Sequence, residues 1–259
     1  MQDMTHNEEL KEIGYTIFPG FLDKHFINRL SKDLDVWIDY ASDVRRKTGL
    51  GDVMEGVAHH VMGKDDSMAD LVRMLPFDEV FREYFDGPYI LNSFGGLKHV
   101  KGLSGDYTHV SNFHRDVRTY SSNLTLLINV LIMLEDFTVP NGATRVIPCS
   151  HKVEERPDDE ELLARSKYLT GKAGTVVLFD SNLWHAASPN KSGETRRALT
   201  LTYSRPFIKP QMDYCKLVGN NFSSDPNVMQ VIGFRSRIPQ NHMDWYQPFE
   251  GRFYYLDQG

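Results

Sequence analysis

Residues 124–151, LTLLINVLIMLEDFTVPNGATRVIPCSH, pass from a strongly apolar run into a turn-rich segment. The run 124–134 is rich in leucine, isoleucine and valine and is far shorter than a membrane span, which favours a buried strand. Asparagine, glycine and proline follow it and are the residues that tight turns use most. The stretch therefore predicts short strands joined by turns.

Similar short apolar runs occur on both sides of this stretch, and they predict further strands at residues 89–91, 175–179 and 198–203. Several short strands separated by turn residues indicate a sandwich, a barrel or a jelly roll. The first third of the chain is mixed. It predicts a strand at 13–18, a helix capped by Asp23, helices at 68–74 and 77–84, and a loop at 45–64.

The composition is that of an ordinary globular protein, with 259 residues, 41% of them hydrophobic, and a formal net charge of −6. The negative charge argues against nucleic acid as a partner, because proteins that bind its backbone are normally basic. No apolar run is long enough for a membrane partner, and the first residues do not resemble a secretion signal. The two cysteines form no disulfide framework, so we expect a cytoplasmic location.

No repeat or low-complexity linker divides the chain, and we expect one domain over residues 1–259. Its parts are a helix-rich segment at about 1–88, a strand-rich core at about 89–207 and a C-terminal tail at about 208–259 that packs on the core.

Two of the ten histidines are followed by an aspartate two residues later, a spacing at which both side chains can bind one metal ion. On a strand, His114 and Asp116 would project from the same face and reach adjacent positions on one metal. A later histidine, His185, completes a two-histidine, one-carboxylate set. The similar pair His242 and Asp244 has no histidine after it, so we expect it to bind no metal.

An ordered set of motifs resembles the phytanoyl-CoA dioxygenase family. The set comprises His114-x-Asp116, Asn141-Gly142-Ala143, Pro148-x-Ser150-His151, His185 and Arg196, and the opening segment 14–22, GYTIFPGFL, is also similar to the family's start. The resemblance implies a mainly β fold with flanking helices around a double-stranded β-helix, a jelly-roll core of the cupin type. It also implies Fe(II) as cofactor, with 2-oxoglutarate and O2 as co-substrates. One departure is Cys149, where the family has glycine, and this leaves the local turn conformation open.

The resemblance implies roles for individual residues. His114, Asp116 and His185 would be the catalytic metal ligands. Arg196 would bind the distal carboxylate of 2-oxoglutarate through a bidentate pair of hydrogen bonds, while Arg197 would point to the opposite face of the strand. Because a carboxylate occupies position 116, we expect hydroxylation or another oxidation and not halogenation.

Other polar residues have a structural alternative beside the functional one. Asn92 would contact 2-oxoglutarate or bound a turn, and Asn129, inside an apolar run, would line the pocket or satisfy a backbone group. Arg118 would bind substrate at the mouth of the site or be a solvated arginine. Tyr107 would also bind substrate, or pack against other residues. His59 lies in a segment that could cover the site as a lid.

These observations predict an Fe(II)/2-oxoglutarate-dependent dioxygenase that hydroxylates or otherwise oxidises a small-molecule substrate and releases succinate and CO2. One alternative keeps the fold and the iron but uses no 2-oxoglutarate, as in a cupin-type iron dioxygenase. The other is a non-catalytic metal-binding β-helix module. The identity of the substrate and the oligomeric state stay open.

Overall fold

The computed structural model describes residues 4–51, 54–99 and 113–248. Its strands are β1 (Tyr15–Phe18), β2 (Val57–His59), β3 (Ile90–His99), β4 (Leu127–Met133), β5 (Arg145–Val146), β6 (Lys167–Tyr168), β7 (Val176–Asp180), β8 (His185–Ala186) and β9 (Arg196–Ser204). Its helices are α1 (His6–Glu12), α2 (Lys24–Lys47), α3 (Ser67–Arg73), α4 (Asp78–Phe85), α5 (Asp159–Arg165), α6 (Tyr214–Val218), α7 (Pro226–Ile232) and α8 (His242–Trp245). Within the described ranges, no helix combines the length and the apolar character that crossing a membrane requires.

The strands form two antiparallel sheets. The major sheet has six strands in the order β1-β7-β4-β9-β3-β2, and the minor sheet has three in the order β6-β5-β8. Neighbouring strands in the major sheet are mostly distant in sequence, which is the connectivity of a jelly roll. The prediction of a mainly β fold with flanking helices is confirmed, and so is its double-stranded β-helix core.

The two faces of the major sheet are covered differently. We call the face packed against the helices the outer face; its central residues include Val130, Leu178, Leu199 and Leu201, all buried in a large apolar cluster with helices α2 to α4 and α7. We call the other the inner face. Its apolar residues, including Leu131 and Val177, form a smaller cluster with residues of the minor sheet. The inner face therefore borders the space between the two sheets.

Helix α2 provides most of the cover for the outer face. Asp23 caps it as predicted, since its carboxylate accepts a hydrogen bond of 2.8 Å from the Phe26 amide. Its buried residues recur at helical spacing. The helix passes so close to β3 that a Cβ built at Gly96 would lie 2.4 Å from a methyl group of Leu34. A glycine at this position is what permits the close approach.

The structure corrects the predicted loop at 45–64. Helix α2 continues to Lys47, and Val57–His59 forms an edge strand paired with β3. Strand β3 is also longer than the three residues predicted and extends to His99. The glycines around Gly51 and Gly95 hid both strands, because glycine has no side chain to contribute to an alternating pattern.

The C-terminal residues lie partly against the core and partly in solvent. Tyr214, Val231 and Ile232 are buried in the outer-face cluster. Trp245 and Tyr246 are 52% and 76% exposed, and the aromatic residues from Phe249 onwards lie outside the described residues.

Candidate metal centre

The two histidines of the predicted metal set are neighbours through their backbones. His114 and His185 form an isolated antiparallel bridge, with N–H···O=C hydrogen bonds of 2.9 and 3.0 Å in the two directions. Their imidazole rings lie 4.3 Å apart between centroids. The pairing fixes both rings at the same height between the sheets.

Asp116 reaches the same point, although the expected strand does not continue to it. The chain bends after His114, and the Asp116 amide donates to the carbonyl of Ser181 at 3.0 Å. The ligand atoms of His114, Asp116 and His185 lie within 4.8 Å of one another. Among the described residues these three form the group that could hold a metal ion, whereas on α8 His242 is exposed and Asp244 is half-buried.

Hydrogen bonds orient the ligand atoms towards a common centre. The Nε2 atoms of His114 and His185 lie 3.5 and 3.7 Å from the two carboxylate oxygens of Asp116. Nδ1 of His185 is 3.0 Å from the carbonyl of Leu183, to which it can only donate. His185 therefore presents its Nε2 lone pair to the centre, as a metal-binding histidine does.

The electrostatics favour the protonation states that bind a divalent metal. Burial opposes charge on Asp116, but His185 and the hydrogen bond from His114 outweigh it and lower the pKa of Asp116 to about 2. Burial is also the main cause that lowers the pKa of His185. A carboxylate and a neutral imidazole are the forms that coordinate a metal. Two imidazole nitrogens and one carboxylate on one side fit Fe(II), because they leave the other positions open.

Asn129 lies on the inner face and contacts the metal group directly. Its side-chain amide donates to Asp116 at 2.8 Å, and its carbonyl accepts from the Thr202 hydroxyl at 2.9 Å. Both ends of the Asn129 side chain are therefore hydrogen-bonded: Thr202 fixes the amide, and the amide holds Asp116. Asn92 lies in a β-bulge of β3, where its amide donates to Ser204 and to the carbonyl of Lys209.

Arg115, the residue between the two ligands, fixes the segment from the opposite side. Its buried guanidinium donates to the carbonyls of Asn182 and Ser150 at 2.7 and 2.8 Å and also bonds two carbonyls of the following loop. It lies 4.9 Å from the ring of Trp184, next to His185. Arg115 therefore ties the His114–Asp116 segment to the strand that carries His185. The sequence did not reveal this role, because arginine in the middle of the motif reads as a surface charge.

Arg196 is buried on the inner face, and no carboxylate of the described residues forms an ion pair with it, although the charge of Glu135 acts on it through space. Its guanidinium lies 4.5 Å from the Phe137 ring, and Nη2 donates to Nδ1 of His99 at 3.3 Å. Among the described residues its Nε has no hydrogen-bond partner. Burial lowers the pKa of Arg196 to about 10, which still leaves it charged at neutral pH. A buried cation with an unused donor fits the distal carboxylate of 2-oxoglutarate.

Arg197 confirms the predicted division between the two strand faces. It points to the outer side and pairs with Asp35 at 2.8 Å and with Glu135 at 2.7 Å. Its charge is balanced by these carboxylates, so it offers no comparable site for an anion.

The remaining predicted residues lie around this centre. Arg118 is exposed, and its charge is one of the causes that lower the pKa of His185. Tyr107 lies outside the described residues. His59 ends β2 on the inner side, 3.6 Å from where a Gly95 Cβ would be. His60 turns away, since its Nδ1 lies 3.0 Å from the Tyr214 hydroxyl.

The turn at Cys149 has the conformation that glycine would provide. Its φ is +64°, in the left-handed region. The turn positions Ser150, whose hydroxyl accepts from the Trp184 amide at 2.9 Å. Cys149 therefore adopts a backbone conformation that favours glycine, although it has a Cβ.

Comparisons with known proteins show what the chain is similar to. The model of the family Phytanoyl-CoA dioxygenase (PhyH) matches residues 10–198. The protein Rv1501 of Mycobacterium tuberculosis is 35% identical over 149 residues, which cover 57% of this chain and 55% of that protein, so the match spans little more than half of this relative. Dioxygenase andF of Emericella variicolor is 25% identical over 263 residues, covering 93% of this chain and 88% of that protein.

A solved structure shows the same fold. EctD from S. alaskensis, crystallised with 2-oxoglutarate and 5-hydroxyectoine, has a TM-score of 0.60 at 19% identity, over 76% of this chain and 74% of that chain.

Proposed function

Because the chain belongs to the phytanoyl-CoA dioxygenase family, we propose that it hydroxylates or otherwise oxidises a small-molecule substrate and releases succinate and CO2. Its cofactor is Fe(II), and 2-oxoglutarate and O2 are its co-substrates. The observation that carries the proposal is the convergence of three ligand atoms within 4.8 Å, together with a buried arginine on the same face of the sheet whose Nε has no hydrogen-bond partner among the described residues.

In this proposal His114, Asp116 and His185 hold the iron from one side. The Leu183 carbonyl fixes the ring of His185, and Asn129 fixes the carboxylate of Asp116. The iron, with its co-substrates bound, supplies the oxidising chemistry that inserts oxygen or removes hydrogen from the substrate. The Phe179 ring lies 5.0 Å from the His185 ring and gives it an apolar neighbour.

Arg196 binds the distal carboxylate of 2-oxoglutarate. The guanidinium can form two parallel hydrogen bonds with a carboxylate, and its buried position strengthens the charge interaction. In this proposal Arg118, which is exposed and whose charge acts on His185, contacts an anionic group of the substrate at the mouth of the site. Asn92 and Tyr107 stay proposed contacts for co-substrate and substrate, respectively.

An anaerobic titration with Fe(II) and then 2-oxoglutarate tests the proposal. We expect a weak visible charge-transfer band at about 500–530 nm that requires both components, as for a keto acid chelated to iron with three protein ligands. The band should vanish in His185→Ala and persist in His242→Ala, which changes an exposed histidine outside the site. Iron binding without any band would overturn the use of 2-oxoglutarate and favour a cupin-type dioxygenase, whereas a band without turnover on any substrate would favour a non-catalytic module.

A further inference from the structure

Among the described residues, only His99 accepts a side-chain hydrogen bond from Arg196. The imidazole of His99 carries no formal charge when it accepts this bond. The bond runs from Nη2 of Arg196 to Nδ1 of His99 at 3.3 Å. The second contact of the guanidinium is the face of Phe137, at 4.5 Å. The direct contacts of the guanidinium are therefore two rings without formal charge, and the carboxylate of Glu135 acts on it only through space.

The backbone places His99 firmly for this contact. His99 ends β3 and lies directly opposite Arg196, the first residue of β9, in the antiparallel register. Its carbonyl accepts from the side-chain amide of Asn190 at 3.1 Å, and the same amide donates to the carbonyl of Glu194 at 2.6 Å. The loop that leads into β9 thus holds the end of β3, so both partners of the bond are fixed before any ligand binds.

A neutral acceptor suits a site that must bind an anion. Nδ1 of His99 can accept from a guanidinium only when that nitrogen carries no proton. Burial, and then the charge of Arg196, lower the pKa of His99, which keeps the ring in this neutral form. The neighbouring Arg197 shows the contrast, because Asp35 and Glu135 already satisfy its charge. A carboxylate in the place of His99 would compete with the incoming anion.

We infer that His99 is a positioning residue for the co-substrate, acting through Arg196. It holds one edge of the guanidinium so that the remaining donors face the distal carboxylate of 2-oxoglutarate. His99 thereby sets the preference for a dicarboxylic 2-oxo acid over a monocarboxylic one. The inference rests on the proposed function and adds a residue that the sequence motifs do not include.

The test compares two substitutions of similar shape at position 99. His99→Asn keeps an acceptor oxygen near the place of Nδ1, and His99→Leu removes it. Calorimetry on Fe(II)-loaded protein without oxygen measures the affinity for 2-oxoglutarate and for 2-oxobutanoate, which lacks the distal carboxylate. In His99→Leu we expect 2-oxoglutarate to bind roughly tenfold to a hundredfold more weakly, the effect of losing a hydrogen bond to a charged group. His99→Asn should restore most of the affinity, and 2-oxobutanoate should bind all three proteins equally.

Each other outcome counts against the inference. Equal 2-oxoglutarate affinity in His99→Leu and the unmodified protein would overturn it, while the proposed function would stand. Equal weakening for both 2-oxo acids would assign His99 a structural role only. If the leucine variant does not fold, His99→Phe keeps a flat ring without an acceptor and carries the same expectation. Absence of 2-oxoglutarate binding in the unmodified protein would overturn the proposed function itself.

Discussion

The inner and outer faces of the major sheet are built from the same strands but differ in composition. On β9, Leu199 and Leu201 point to the helices and are fully buried, whereas Arg196, Thr200 and Thr202 point to the space between the sheets. Alternate residues of a strand face opposite sides, so one segment supplies both surfaces. The comparison indicates that the outer face mainly stabilises the fold, while the inner face carries the residues proposed for chemistry.

The outer face has the properties of a folding core. Its cluster continues through α2, α3, α4 and α7, and on this side the charge of Arg197 is balanced by Asp35 and Glu135. The inner face has a smaller apolar cluster. Elsewhere it carries amides, hydroxyls and a buried cation, and Thr200 in the middle of a central strand is exposed. Groups that bind a metal and an anion are thus supported by a sheet whose stability comes mainly from its other side.

The largest expected effect is the loss of the metal in His114→Ala. Two remaining protein ligands cannot retain Fe(II), so metal content after dialysis and turnover should fall below detection. The metal-free protein should keep its free energy of unfolding within about 1 kcal/mol, because His114 contributes to no apolar cluster. Retention of a full equivalent of iron would break the assignment, and His242→Ala provides the matched control.

The reverse behaviour is expected from Leu199→Ala on the outer face. This side chain is fully buried, and its truncation should lower the free energy of unfolding by about 2–5 kcal/mol in urea titrations. The affinity of the folded variant for Fe(II) should not change. Thr200→Val, one residue along on the inner face, should alter stability by no more than about 0.5 kcal/mol. A strong loss of stability in Thr200→Val would show that the inner face also contributes substantially to the free energy of unfolding.

The adjacent arginines allow the same comparison within two residues. Arg196→Leu should weaken 2-oxoglutarate binding by about 2–3 kcal/mol, since it removes the charged partner of a carboxylate. Arg197→Leu should leave that affinity within about twofold and instead lower the free energy of unfolding by about 1–2 kcal/mol, because it breaks the links to Asp35 and Glu135. Calorimetry and urea unfolding of both variants measure the two effects. An unchanged affinity in Arg196→Leu would move the anion site elsewhere.

Much of the metal centre could be predicted from the sequence, because its residues belong to motifs with a fixed order. The pair His114 and Asp116 and the later His185 are recognisable without knowing which strands are neighbours. Asn129 was visible as a polar interruption in an apolar run, and the structure explains it by its bond to Asp116. Local patterns sufficed for these residues since each stands out from its own segment.

Other parts of the site depend on strand pairing that the sequence does not contain. His99 supports Arg196 only because β3 and β9 pair in one register, and a shift by one residue would turn His99 to the helices. The two segments are far apart in the chain, and β3 itself was predicted at less than half its length. Arg115 was missed for a related reason, since its partners are backbone carbonyls of distant loops. Backbone groups leave no trace in a residue pattern.

The smallest expected effect concerns the Cys149 turn, which contributes to neither of the two apolar clusters. Cys149 has φ +64°, a conformation that costs a residue with a Cβ about 1 kcal/mol, and its side chain is exposed. Cys149→Gly removes this cost but makes the unfolded chain more flexible, so the net gain in unfolding free energy should stay below about 1 kcal/mol. Urea titration measures the gain, and Cys149→Ala is the matched control because it removes the thiol but keeps the Cβ. Equal stabilisation by alanine would show that the thiol, and not the backbone conformation, is responsible.

The turn also supports Trp184, the neighbour of His185, through the hydroxyl of Ser150. An unchanged metal affinity in Cys149→Gly would therefore show that a turn with glycine and a turn with cysteine position His185 equally well.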